Sequence, residues 1–315
     1  MSAEVETMFS VRETPWHGLG YISENYPESV DQALVWAGLD WKVGKYPVYT
    51  GLSQDNIEKI PDFYSNIREK DGKVLGIVGN NYKIVQNVEA FDFCNNLMDG
   101  QAKFETAGSL YEGKKVWALL KLEDFNVLGD SFENYLYVVN SFDGKGAIRA
   151  GLTPIRVVCK NTLNLALNKT SRSWRVTHNG DLDSKIQEAS KALDLANKYT
   201  KALAEEAEKL ASIKVSDIEL FKMTNYLFPI NDKMSDRQKG NVEKERDGFL
   251  SVYRNTSDIA NFRGTGWGIL QAVTDYTQHS EPLRKSSTYK AKLFESVIDG
   301  QEIVDKAYER LLAIA

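Results

Sequence analysis

The chain has 315 residues, 42% of them hydrophobic, enough to build one large or two ordinary domains with packed cores and no covalent staples. Its 39 basic and 44 acidic residues give a formal net charge of -5, which excludes a general affinity for polyanions. Cys94 and Cys159 lie far apart with no CxxC spacing, and no run approaches the roughly 18 apolar residues of a membrane span, so a disulfide framework, a zinc ribbon and a membrane partner are not expected.

Residues 1–60 read as an irregular N-terminal arm, with turn residues Pro15, Gly18, Gly20, Pro27 and Pro47 around one short helix. That helix runs from about Val30 to Ala37, capped by Ser29, and buries Ala33, Leu34 and Trp36. Met1 to Glu6 carries acids rather than a basic then apolar leader, so a cytoplasmic location is expected.

Residues 61–180 read as a β-rich core. Phe63 to Glu69, a turn at Asp71-Gly72 and Val74 to Val78 form one hairpin, and a helix follows over about Val88 to Met98 with Phe91 and Cys94 on one face. Lys103 to Leu110, a Glu112-Gly113 turn and Lys115 to Leu122 form a second hairpin. Tyr135 to Phe142, an Asp143-Gly144 turn and Ala147 onward form a third. The period of two puts Tyr135, Tyr137 and Val139 on one face, expected to be partly wet and aromatic, and Leu136, Val138 and Asn140 on the other. Pro154 interrupts the last strand, and Arg149 and Arg156 share a side only if the chain kinks near Thr153-Pro154. A helix capped by Asn161 or Thr162 and burying Leu163, Ala166 and Leu167 comes next. The last strand, Ser173 to Thr177, carries Trp174 and Val176 on one side and Arg175 on the other.

Residues 181–315 read as a mainly helical region with one long helix. Ile186, Ala189, Leu193, Ala196, Thr200, Leu203, Ala207 and Leu210 recur at alternating steps of three and four from Leu182 to Leu210, a narrow seam of about 3.5-residue period. Asn231 to Asp247 is an exposed charged link, its charged stretch from Ser235 to Gly248 a solvated helix or loop that reads as a flexible segment, and a final helix spans Lys290 to Ile314 around a break at Gly300. The fold class is therefore α+β: an antiparallel sheet of hairpins with flanking helices, then a helical C-terminal region.

Charge is segregated in this chain. Between Asp143 and Asp181 there is no acidic residue, while Lys145, Arg149, Arg156, Lys160, Lys169, Arg172 and Arg175 all fall there. Such a run either pairs with carboxylates elsewhere or marks a site for something negative. On the second reading Lys145, Arg149, Arg156, Lys160, Arg172 and Arg175 meet phosphates, while Tyr135, Tyr137 or Trp174 offer planar faces to unpaired bases. No helix of this segment carries clustered base-reading residues, so a single strand fits better than a duplex.

Other chemistry has less support. His17, His178 and His279 show no metal-ligand spacing, so no metal and no cofactor are expected. Cys159 with His178 could form a thiol nucleophile pair, yet a cysteine after Val157-Val158 is more often a small buried hydrophobe. Gly264-Thr265-Gly266-Trp267-Gly268 precedes a helical run, and Arg254, Arg263 and Gly266 could contact an anion there. The stretch lacks the lysine and hydroxyl of a phosphate loop, which leaves close helix packing as the simpler use of its glycines.

Several blocks carry a resemblance. Thr14-Pro15-Trp16-His17-Gly18-Leu19-Gly20, Ala37-Gly38-Leu39-Asp40-Trp41, Leu75-Gly76-Ile77-Val78-Gly79, Gln86-Asn87-Val88-Glu89-Ala90-Phe91 and Arg156-Val157-Val158-Cys159-Lys160-Asn161-Thr162-Leu163 resemble the phage/plasmid-like protein family of unknown function. So do Thr265-Gly266-Trp267-Gly268 and Ala272-Val273-Thr274-Asp275-Tyr276 further on. Phe142 departs from the pattern, since the resemblance implies histidine there. The resemblance implies a gene of a bacteriophage, prophage or plasmid and hence bacterial cytoplasm. In its order of elements alone, helix, hairpin, two strands and helix, the core is similar to single-strand annealing proteins, whose rings or filaments hold single-stranded DNA in a basic groove. The expectation is an ATP-independent single-stranded DNA-binding and annealing protein, homo-oligomeric, working beside host or phage replication and recombination proteins. The alternative is an anti-defence or regulatory protein that binds a host protein, and a hydrolase built on Cys159 and His178 ranks last.

Overall fold

The computed structural model describes residues 5–12, 20–53, 55–97, 103–156, 161–162, 173–179, 191–280 and 301–314. In chain order the strands are β1 (Val5–Val11), β2 (Tyr21–Ser23), β3 (Val43–Ser53), β4 (Asn56–Arg68), β5 (Lys73–Gly79), β6 (Lys103–Leu110), β7 (Lys115–Lys121), β8 (Phe125–Val127), β9 (Asp130–Ser141), β10 (Ile148–Arg156), β11 (Asn161–Thr162) and β12 (Ser173–Val176). The helices are α1 (Val30–Ala37), α2 (Asn87–Leu97), α3 (Lys191–Ser212), α4 (Asp217–Leu227), α5 (Asp236–Asn255), α6 (Gly266–His279) and α7 (Glu302–Leu312), with a 3-10 turn at Ser257–Phe262. The chain is α+β, and its strands are mostly antiparallel. The larger sheet runs β11-β10-β9-β7-β6-β1-β2, with β12 on β10 and β8 on β9, and the smaller runs β3-β4-β5. By contacts the chain divides into two compact units: 1–122, 135–152 and 172–196 in one, and 123–134, 153–171 and 197–315 in the other.

In the first unit, α1 forms where its sequence asks. Ser29 accepts a hydrogen bond from the Gln32 amide, and Gly38, at φ 65°, turns the chain out of the helix. The amides of Gly38 and Leu39 reach back to the carbonyls of Val35 and Leu34, a Schellman closure that leaves Leu34 and Leu39 together in the core. The hairpins turn where glycine permits positive φ: Gly72 at 73° between β4 and β5, Gly113 at 86° between β6 and β7, and Gly144 at 76° after β9. Register then follows from the alternation of side chains. β7 pairs with β9 so that Ala118 faces Val138 and Leu120 faces Leu136, and these join Phe91, Cys94, Phe104 and Ala33 beneath α1 and α2.

The described residues within 1–60 are not irregular. β1 lies within the larger sheet, antiparallel to β6 and parallel to β2, and buries Met8, Phe9 and Val11. Its partners are remote in sequence, so no hairpin turn announces it. Buried Arg68 ties β1 to the smaller sheet: Nη1 and Nη2 donate to the Glu6 carboxylate at 2.9 Å each, and Nη2 to Asp71 Oδ2 at 2.7 Å. These bonds hold Glu6 below the usual carboxylate range against the opposing effect of burial. Phe142 is fully buried, its ring 5.5 Å from that of Trp41.

In the second unit α6 is buried over Gly266–Thr274, the signature of a helix surrounded on all sides. A Cβ on Gly266 would lie 2.9 Å from the Leu210 carbonyl oxygen, and one on Gly268 2.1 Å from that of Phe262, so both glycines are required by close approach. α3 contributes Leu203, Ala207 and Leu210 from the expected seam; the earlier seam positions Ile186 and Ala189 lie outside the described residues. The charged stretch after Asn231 forms α5, not a flexible link, opened by a capping box in which Ser235 and Gln238 satisfy each other's amides. Residues 290–300 of the expected final helix lie outside the described residues, and α7 begins at Glu302. No helix among the described residues is long and apolar enough to cross a membrane.

Candidate functional site

The acid-free run begins at the turn after β9. Asp143 Oδ1 accepts hydrogen bonds from Ser141 Oγ at 2.6 Å and from the amides of Lys145 and Gly146 at 2.8 and 3.1 Å. Burial opposes ionisation there, but these bonds outweigh it, and the carboxyl stays below its ordinary range. Asp143 is thus committed to shaping the turn that presents exposed Lys145.

From there β10 pairs antiparallel with β12, setting Ile148 against Val176, Arg149 against Arg175 and Ala150 against Trp174. Ile148, Val176 and Trp174 pack with Val85 and Ala90, so the alternation turns both arginines to the opposite side of the sheet. Arg149 is half-buried and Arg175 exposed. Residues directly opposite in such a pair have Cβ atoms about 4.5–5.5 Å apart, and like charges there repel.

The other expected contacts are placed differently. β10 changes partner along its length, from β12 over Ile148–Gly151 to β11 at Ile155 and Arg156, around the Thr153-Pro154 step. Asn161 and Thr162 form β11 rather than a helix cap, because their backbone completes that ladder. Cys159, Lys160, Lys169 and Arg172, the expected helix core Leu163, Ala166 and Leu167, and Trp16 and His17 lie outside the described residues, as does the Arg156 side chain. Tyr135 and Tyr137 share a face as the alternation required, but that face is buried rather than wet: they are 7% and 3% exposed. Lys121 Nζ sits 4.7 Å from the Tyr135 ring centroid. Trp174 is half-buried, 6.0 Å from the Phe93 ring.

Near α6, Arg263 donates to the carbonyls of Tyr253 and Thr256 at 3.1 and 2.9 Å and braces the preceding turn. The buried Gly266 amide donates to the Ile213 carbonyl at 3.0 Å, and the Gly268 amide to Thr265 Oγ1 at 3.1 Å. Those N–H groups are spent on the fold, while Arg254 stands exposed on α5.

One cluster had no signal in the sequence spacing. The His178 ring stacks on Tyr82 at 4.6 Å between centroids, and its Nδ1 lies 3.0 Å from the Lys83 carbonyl. That geometry fixes Nδ1 as the protonated nitrogen of the neutral ring and leaves buried Nε2 an acceptor without a partner. Burial lowers the histidine below its usual titration range, although the Lys83 carbonyl and Asp143 favour the charged form. Tyr82, half-buried, has its phenol pushed up by burial and donates to the Ser141 carbonyl at 2.6 Å. Among the described residues, no group of three or more His, Cys, Asp or Glu side chains is placed to hold a metal ion.

No curated protein and no solved structure matches the chain significantly. A family model described as a domain of unknown function (DUF932) matches residues 74–298, from β5 to beyond α6, and on that match over more than half its length the chain belongs to this family.

Proposed function

We propose that this chain is a single-stranded DNA-binding and annealing protein of a phage or other mobile element, acting without ATP and as a homo-oligomer. The observation that carries the reading is the cross-strand pair Arg149 and Arg175, on one face of β10 and β12, within a stretch that has seven cations and no carboxylate. Side chains that meet phosphates hold a strand in place without reading its sequence, which suits a protein that must accept any pair of complementary strands. Annealing is supported only by the order α2, β6, β7, β8, β9, β10, the helix that completes the likeness lying outside the described residues, and the mobile-element origin by the blocks quoted above.

Fluorescence anisotropy of a labelled single strand, measured over a salt series, tests this. If about five phosphates are neutralised per subunit, log affinity falls against log salt with a slope of about -3.5. Absence of binding at low salt ends the proposal.

A second reading, a mobile-element factor that binds a host protein, is favoured by Ile218 and Phe221, which stand 68% and 66% exposed one turn apart on α4. Capture of one dominant host protein that survives nuclease treatment, and is lost in Phe221→Lys, supports it over DNA binding.

A further inference from the structure

Two segments remote in sequence are clasped at His178. The Lys83 amide donates to the His178 carbonyl at 2.7 Å, and His178 Nδ1 lies 3.0 Å from the Lys83 carbonyl. The ring stacks on Tyr82, whose hydroxyl donates to the Ser141 carbonyl at the end of β9, and Lys45 Nζ of β3 donates to the Tyr82 carbonyl at 3.0 Å. The Val85 carbonyl accepts from Asn140 Nδ2 at 2.9 Å. Residues 82–85 are therefore pinned by both sheets.

β12 has less to hold it. It is four residues long, and among the described residues it pairs with β10 alone. The clasp two residues past its end is what fastens it to the pinned segment.

That clasp needs a neutral ring. With Nδ1 donating, protonation puts a second N–H on Nε2, which is buried and has no acceptor. A charged donor left unpaired inside a protein is strongly disfavoured, so the ring takes up a proton only by leaving its place. The charged and titratable groups around it are Tyr82 and Lys83 beside the ring, Lys45 on the Tyr82 carbonyl, Asp143 after β9, Lys115 of β7 acting on Asp143, and Arg175 on β12. Asp143 favours the charged ring through space but makes no hydrogen bond to Nε2, and burial prevails. Tyr82 stays neutral and Asp143 charged near neutral pH, since one is pushed up and the other held down.

We infer that His178 is a pH-sensitive latch on β12: a proton on Nε2 expels the ring from the Tyr82 stack, frees β12 from residues 82–85 and draws Arg175 away from Arg149. The released ring titrates near its ordinary value of about 6.5 and the latched ring below it, so opening becomes easier as pH falls, by about tenfold at most between pH 7.5 and 5.5. The inference stands on the packing around the ring and does not rest on DNA binding.

Amide hydrogen exchange of the natural chain at pH 7.5 and 5.5, corrected for the intrinsic pH dependence of exchange, tests it. Protection of the Lys83 amide and of the β12 amides bonded to β10 should fall several-fold toward that limit, while β6 and β7 keep theirs. His178→Gln, which cannot take up the proton, should show equal protection of β12 at the two pH values. The natural-chain profile decides alone if the variant does not fold. Protection of β12 independent of pH, an equal fall throughout the sheet, or an undiminished fall in His178→Gln overturns the proposal.

Discussion

His178 shows how one side chain links the basic segment to pH. It lies two residues after β12, which carries Arg175, and its ring is stacked on Tyr82 with Nε2 buried and unpartnered. Its pKa is lowered in the fold, while in the unfolded chain it is about 6.5. Between those two values the unfolded state binds more protons, so the stability that depends on a neutral ring is complete above pH 6.5 and is lost as pH falls below it. The melting temperature should therefore drop between pH 7.5 and 5.5, and His178→Gln should flatten that part of the profile; a parallel drop in the variant would contradict this role. The same residue shows the limit of reading a sequence. Its pairing with Tyr82 spans nearly a hundred positions and obeys no spacing rule, and the ring had a named use only beside Cys159.

At the scale of elements, legibility followed the range of the contacts. α1 and the hairpins from Phe63 to Phe142 were readable because cap, turn glycine and alternation all lie within a few residues. β1 was missed because its ladder to β6 joins residues about a hundred positions apart. α5 was readable in principle: Ser235-Asp236-Arg237-Gln238 fits a capping box, but its charged, solvated surface suggested a link instead. The aromatic face of β9 was assigned the right residues and the wrong environment, since alternation gives the side of a sheet and not what lies against it. α6 gives the sharpest test of packing at this scale. A methyl group on Gly268 would have to displace the Phe262 backbone, so Gly268→Ala should cost about 2–3 kcal/mol in denaturant unfolding, whereas Gly240→Ala on exposed α5, where a Cβ meets nothing within 4 Å, should stabilise or leave unfolding unchanged.

Over the whole molecule the charge pattern was legible in the sequence, and what the structure adds is which cations share a surface. A chain of net charge -5 keeps 37 consecutive positions, 144–180, free of carboxylates, and the β10–β12 ladder sets two of their arginines side by side. DNA contact by that pair is the central claim, and the most direct measurement compares salt dependence of single-strand binding in the natural chain and in Arg149→Gln/Arg175→Gln, with matched melting temperatures. Removing two phosphate contacts should weaken binding and make the log-log slope shallower by about 1.4. An unchanged slope and affinity in the double variant would contradict the account.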